Sequence, residues 1–310
     1  MPRRIPFYVC DSFTTTPFQG NPAGVFFDTG ATLTGDEMRR LAGEVHLESA
    51  FVLSSRAGDG HDADLRLRYF TGVCEVPFCG HATIAVLFAL LARGEIQPGQ
   101  TLQAATEAGI LTIGITDSRY GVLHPKMPTF GGPLTAEETK AVARALGLTD
   151  REIGRDPMPV QQVSTGTPWL LVPVQSRETV DRTPTDFAAI AALSEKHGTF
   201  GCYVFTILDP IAETTDSLTV WSRCYAPIAG LNEDPATGSA SAALGGYLAQ
   251  HGVLPVAPGK DCSFTVLQGF AGGRGGTVGV RAERDHSGTL CKIAVQGEAL
   301  VLSEGAFTLS

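Results

Sequence analysis

Three short runs carry residue types that can move a proton or hold a small anion. The first is Cys79-Gly80-His81-Ala82-Thr83, which leads straight into the apolar run Ala82 to Leu91. That order reads as a strand passing into a helix. The first backbone N–H groups of a helix lack intrahelical partners, and the helix dipole makes that end partly positive. Such an end holds a carboxylate or a developing enolate without a metal. A thiol placed there has a lowered pKa and can act as acid or base. A buried thiol beside a capping histidine would use the same residues.

The second run is Asp234-Pro235-Ala236-Thr237-Gly238-Ser239-Ala240. Asp before Pro is a good N-cap, and Pro is tolerated in the first helical turn. Thr237, Gly238 and Ser239 then supply small residues and exposed donors. An ordinary capped helix start is the plain alternative. The third candidate is Glu48, flanked by Leu47, Ala50 and Phe51. Apolar surroundings raise a carboxyl pKa toward neutrality, as a general base or acid requires. A surface glutamate at the start of a strand is the competing reading.

Other chemistries find little support. The seven histidines are scattered without ligand spacing, and neither Cys-x-x-Cys nor His-Glu-x-x-His occurs, so no metal is expected. The run Gly272-Gly273-Arg274-Gly275-Gly276 lacks dinucleotide spacing and precedes a strand, so it reads as a turn. With no Walker motif or Gly-x-Ser-x-Gly elbow, no cofactor is expected.

The elements that must position these residues recur in one order. In the first half, strands at Pro6 to Ser12 and around Val25-Phe26-Phe27 precede Thr34-Gly35-Asp36-Glu37. That Thr-x-x-Glu run is a capping box for a helix reaching about Val45. Strands at Glu48 to Leu53 and Leu65 to Phe70 lead to the Cys79 junction. A hairpin follows, turning at Ala108-Gly109. In the second half, Gly166 to Val172 echoes Gly20 to Phe26, and Thr135 and Thr185 open helices ending near Gly147 and Gly198. Arg223-Cys224-Tyr225 echoes Arg68-Tyr69-Phe70. Asp234 follows Arg223 by eleven residues, as Cys79 follows Arg68. Small-residue helices come next, Ala82 to Leu91 and Ala240 to His251, and each is apolar all round, hence buried on every side. This common order predicts a duplicated α+β fold. Each pseudo-symmetric half wraps a curved, mostly antiparallel, barrel-like sheet around a central buried helix, and the two helix starts face one cleft. The halves are expected at 1–125, with a C-terminal strand at about 297–310, and at 126–296. The Pro- and Gly-rich stretch Lys126 to Leu134 is the linker candidate.

Bulk properties narrow the class. The 310 residues suit two domains, and the formal net charge of -9 carries no basic stripe of the kind nucleic-acid binders use. No run reaches the roughly 20 apolar residues needed to span a bilayer. Seven cysteines without a secretory signal point to reduced thiols in a cytoplasmic protein.

At these residues the chain resembles the phenazine-biosynthesis (PhzF-like) family, within the diaminopimelate-epimerase superfamily. The motifs run in order along nearly the whole chain. They are Asp11-Ser12-Phe13, Phe18-Gln19-Gly20-Asn21-Pro22, Leu47-Glu48-Ser49-Ala50-Phe51-Val52, Arg68-Tyr69-Phe70-Thr71, Glu75 and Cys79 to Thr83. Ala108-Gly109, Ser164-Thr165-Gly166, Glu233 to Ala240, Gln268-Gly269 and Gly297 complete them. The resemblance implies an isomerase that needs no cofactor, acts on a small carboxylated substrate and forms a homodimer. It implies Glu48 as acid/base, with His81, Asp234 and Ser239 around the reacting carbon. Asn21, Cys79, Gly80, Gly238 and Gln268 complete the implied binding set. The epimerase branch has cysteines at both helix starts, whereas here Asp234 takes the second place. Gly72 and Gly275-Gly276 also depart from the family's usual Pro and Pro-Ser. The alternatives are an amino-acid racemase or epimerase, a non-catalytic binding or scaffold protein and, more remotely, a cysteine hydrolase using Cys79 and His81.

Overall fold

A computed structural model describes residues 2–54, 63–183, 186–208 and 218–309. These group into two compact units, Met1–His124 with Gln296–Ser310, and Pro125–Val295.

The first unit runs β1 (Arg3–Ser12), β2 (Asn21–Phe27), α1 (Gly35–Val45), β3 (Ser49–Ser54), β4 (Leu65–Phe70), β5 (Glu75–Val76), α2 (Gly80–Ala92), β6 (Thr101–Thr106), β7 (Gly109–Ile115) and β8 (Gly121–Leu123). The chain continues through β9 (Thr129–Pro133), α3 (Ala136–Ala145), β10 (Gln161–Ser164), β11 (Pro168–Pro173), α4 (Arg177–Asp181), α5 (Phe187–His197), β12 (Cys202–Leu208), β13 (Leu218–Ala226) and β14 (Leu231–Asp234). Then come α6 (Gly238–Gln250), β15 (Asp261–Gln268), β16 (Gly276–Arg284), β17 (Leu290–Gly297) and β18 (Ala299–Leu309). Strand β18 returns to the first unit and pairs antiparallel with β1, Arg3 opposite Leu309.

The pairing pattern repeats. In the first unit β1–β2 is antiparallel, β2–β3 parallel, β3–β4 and β4–β5 antiparallel, β4–β6 parallel and β6–β7 antiparallel. In the second, β10–β11, β11–β12, β12–β13, β13–β14, β13–β15 and β15–β16 follow the same sequence of senses. The fold is therefore the expected α+β class with mostly antiparallel sheets. Each of these parallel pairs has a helix between its two strands, because a parallel pair needs a crossover connection.

Within each unit one helix lies among strands. Helix α2 contacts β1, β2, β3, β7, β8 and β18, and it buries every residue from Gly80 to Leu87. Helix α6, also of 13 residues, contacts β10, β11 and β16. Burying a Leu, Ile or Val side chain contributes about 1.5–3 kcal/mol, so Ile84, Val86, Leu87 and Leu90 anchor α2 firmly. Helix α1 instead shows one apolar face, packing Met38, Leu41 and Ala42 with Phe26, Phe51 and Phe70. Its capping box joins Thr34 and Glu37, and Thr135 with Glu138 does the same for α3.

Three sequence expectations need amendment. The Lys126 to Leu134 stretch is not a plain linker: Thr129–Pro133 pairs with β10 as a strand. Thr185 lies outside the described residues, and α5 is capped by the side chain of Asp186. Asp234 is not the N-cap of α6. It ends β14, and Thr237 holds the N-cap position in extended conformation. Pro235 and Ala236 separate them because Asp234 still pairs with Cys224 in the sheet. Counted from the matching arginines, the N-caps therefore stand at Cys79 and Thr237, and the eleven-residue echo of Asp234 is accidental. Among the described residues no helix is long and apolar enough to cross a membrane.

Candidate active site

In the first unit, β3 and α2 bring three candidates together. Glu48 directly precedes β3, and its carbonyl accepts from Gly24 N–H at 3.1 Å. Cys79 is the N-cap of α2 in extended conformation, with no side chain capping the helix. His81 lies in the first turn. Glu48 Oε2 stands 3.8 Å from Cys79 Sγ and 3.6 Å from His81 Nε2. Cys79 Sγ is 3.5 Å from His81 Nδ1 and 3.8 Å from its Nε2. One donor atom from each residue lies within 4.8 Å of the others, a spacing at which a single ion could be held.

The first turn of α2 is anchored around this trio. Ser12 Oγ donates to the His81 carbonyl at 2.8 Å, and Thr83 Oγ1 donates to the Cys79 carbonyl at 2.7 Å. Tyr69 OH meets Thr83 Oγ1 at 2.8 Å. Asn21, buried, pairs with Ser12 in the β1–β2 register. Gly80 opens the helix beside the trio.

Burial governs the electrostatics. Desolvation pushes the His81 pKa down to about 4. At neutral pH its ring is therefore uncharged, and its approach to Glu48 is not an ion pair. The 3.6 Å separation is also too long for a hydrogen bond. The Glu48 side chain is 25% exposed against 7% for His81, so the carboxylate is the member that solvent or a substrate can reach.

In the second unit, Asp234, Thr237 and Gln268 form a buried network. The Thr237 hydroxyl donates to Asp234 Oδ2. Gln268 Nε2 donates to the Asp234 carbonyl at 2.7 Å and to Thr237 Oγ1 at 2.8 Å. Gln268 Oε1 accepts from the Thr237 N–H at 3.1 Å. A hydroxyl has one hydrogen. With Gln268 donating to it, Thr237 directs that hydrogen to the carboxylate. Gly238 opens α6, and Ser239 Oγ accepts from Trp169 Nε1 at 3.0 Å. Upstream, Arg223 forks onto Glu233 at 2.8 Å on both nitrogens. Arg68 forks onto Glu75 likewise, at 2.7 and 2.5 Å.

Residues 10–305 match the PhzC-PhzF family, described as phenazine biosynthesis-like protein. The chain belongs to this family. It is 35% identical over 301 residues to the uncharacterized isomerase YddE of Escherichia coli K12, across 95% of each chain. The structure is similar to that of the Bacillus anthracis phenazine biosynthesis protein of the PhzF family. That match has a TM-score of 0.82 at 30% identity and covers 98% of this chain and 99% of the other. A predicted epimerase of Pseudomonas aeruginosa matches with a TM-score of 0.74 at 26% identity, over 97% and 98% of the two chains. This PhzF-family protein is an enzyme of the isomerase class, as its relatives are named.

Some partners in this PhzF-family chain have no local signal in the sequence. Trp169 lies in β11, and its indole holds Ser239 from 70 residues away in sequence. The role of Thr237 was masked by the stronger capping signal of Asp234-Pro235. The Glu48–His81 contact joins residues from two elements, which no linear spacing displays.

Proposed function

We propose that the protein is a cofactor-independent isomerase that moves a proton between carbons of a small carboxylated substrate, with Glu48 as acid/base. The observation that carries this reading is the setting of Glu48: a reachable carboxylate beside an uncharged, buried His81 at an uncapped helix start. Glu48 takes a proton from the carbon next to an unsaturated or carboxylated group. It then returns a proton to another carbon on the same face, and because solvent reaches the 25% exposed carboxylate, deuterium from the medium can replace the proton it returns. The N–H groups opening α2, around Gly80 and His81, suit the negative charge that develops. Asp234, Gly238 and Ser239 enter through the family motif Glu233 to Ala240, and Asn21 and Gln268 through theirs. Asp234 accepting from Thr237 is held as an acceptor, able to order a polar group of the substrate. The reading includes a homodimer in the cytoplasm, which sedimentation of the purified enzyme would check.

Proton NMR in deuterated water, with a panel of small unsaturated and amino acids, tests the class. Site-selective exchange at a carbon of a carboxylated compound, abolished in Glu48→Gln and untouched by chelators, is expected. Exchange that survives Glu48→Gln would refute the assignment. Exchange with inversion at one α-carbon would favour the second reading, a racemase or epimerase. The Cys79 thiol at 3.8 Å from Glu48 gives that reading its specific support.

A further inference from the structure

In the Glu48, Cys79 and His81 triangle the two sulfur edges are long thiol hydrogen bonds, and the Glu48–His81 edge is too long for one. Glu48 Oε2 to His81 Nε2 is 3.6 Å, where an N–H···O bond would close to about 2.7–3.2 Å. The two sulfur edges, to Glu48 Oε2 and His81 Nε2, are both 3.8 Å. A zinc-type ion bound tetrahedrally at about 2.3 Å to sulfur and about 2.0–2.2 Å to nitrogen and oxygen spaces its donors about 3.3–3.7 Å apart. The Glu48–His81 edge of 3.6 Å lies within that range, and the two sulfur edges of 3.8 Å exceed it by about a tenth of an ångström. A thiol, an imidazole and a carboxylate are the ligand types that such an ion takes.

We propose that Glu48 Oε2, Cys79 Sγ and His81 Nε2 form a three-donor site for a zinc-type divalent cation that inhibits the enzyme. Binding replaces the Cys79 S–H bond with an S–metal bond and releases that proton to solvent. The fourth position stays open to water or to a substrate carboxylate. The partly exposed Glu48 gives the ion its way in, and the buried His81 and Cys79 hold it from behind. A cation on Glu48 Oε2 draws charge from the whole carboxylate, making it a weaker base, and stands between it and a substrate carbon, so the filled site is silent. Binding stands on the geometry alone; inhibition rests on the reading of Glu48 as the base.

Cobalt(II) added to the purified full-length enzyme is the probe. One equivalent is expected to bind with a thiolate-to-cobalt charge-transfer band, and zinc should displace it. Loss of an outer partner of a metal ligand already costs about 10–100-fold in affinity. Glu48→Gln should therefore weaken binding at least about tenfold, and Cys79→Ser should abolish the band. Circular dichroism checks that both variants fold, and Glu48→Gln, at the most exposed donor, keeps the test alive if Cys79→Ser does not. A triple Cys74→Ser, Cys262→Ser, Cys291→Ser variant removes other accessible thiols and should bind as the parent does. Absence of saturable binding, a complex without the band, or affinity unchanged in Glu48→Gln would overturn the site. Reversible zinc inhibition of exchange is the second arm. Binding with no exchange in any substrate would instead fault the isomerase assignment and leave the site standing.

Discussion

Ser12 donates its hydroxyl hydrogen to the carbonyl oxygen of His81 at 2.8 Å, tying the end of β1 to the first turn of α2. The bond spans 69 residues of sequence and fixes the backbone that carries the buried imidazole. The site is thus set by strand-to-helix contacts, and each contact has a consequence that can be measured.

Variants at the trio and at Asp234 should rank by role. Glu48→Gln should lower exchange by about 10²–10⁴-fold, the usual contribution of a general acid or base. His81→Ala and Asp234→Asn should be badly impaired, and Cys79→Ser milder. Steady-state exchange rates on one substrate decide the order. A dead Cys79→Ser beside a Glu48→Gln that keeps most of its turnover would replace the carboxylate with a thiol mechanism.

The Thr237 hydroxyl serves both Asp234 and Gln268, so Thr237→Val leaves two buried polar groups short of a partner. A buried unsatisfied group costs about 1–3 kcal/mol. Urea unfolding should show a loss of about 2 kcal/mol or more, largely restored in Thr237→Ser. Equal loss in both variants would show that the methyl matters and the hydrogen bonds do not.

Acid should destabilise the fold through His81. Burial holds its pKa at about 4 against an ordinary 6.5. Between those values the unfolded chain binds a proton that the folded chain refuses. Stability from this group is therefore complete above pH 6.5 and falls as the pH drops toward 4, by about 3 kcal/mol in all. Urea midpoints at pH 7 and 4.5, with chelator present, should fall further in the parent than in His81→Gln. Parallel pH slopes would count against a buried neutral ring.

Two effects oppose each other in Gly246→Ala. Alanine is a better helix former by about 1 kcal/mol. The added carbon, however, would sit 2.5 Å from Cγ and 2.7 Å from Cβ of Pro128, atoms of a stiff ring. Overpacking costs about 1–3 kcal/mol, so the variant should lose stability in chemical denaturation. A gain near 1 kcal/mol would mean that Pro128 yields easily.

Much of this was legible locally. The Thr34 and Thr135 capping boxes need only four consecutive residues, and both helices start where the pattern puts them. The fully apolar runs after Cys79 and before His251 gave the central helices. The Arg68 and Arg223 echoes marked matching strands, and each arginine forks onto a glutamate on the strand that follows. What stayed hidden was decided by contact at a distance. Asp234-Pro235 looks like a helix start by itself, but pairing with Cys224 keeps Asp234 in the sheet and moves the cap to Thr237. Residues Thr129 to Pro133 look like a linker because Gly and Pro dominate them, and only β10 makes them a strand.

The pairing of β1 with β18 bears on how the chain is made. Strand β1 lies between β2 and β18, and its partner Leu309 is synthesised last of the described residues. At about 5–20 residues per second, roughly 15–60 s separate Arg3 from Leu309 during translation. For that interval the nascent first unit carries β1 with one row of backbone groups open. An uncovered edge is a template for a neighbouring chain. Ribosomes crowded on one message would therefore set these edges side by side, and slower translation of the final strand should lower soluble yield before it affects the finished enzyme.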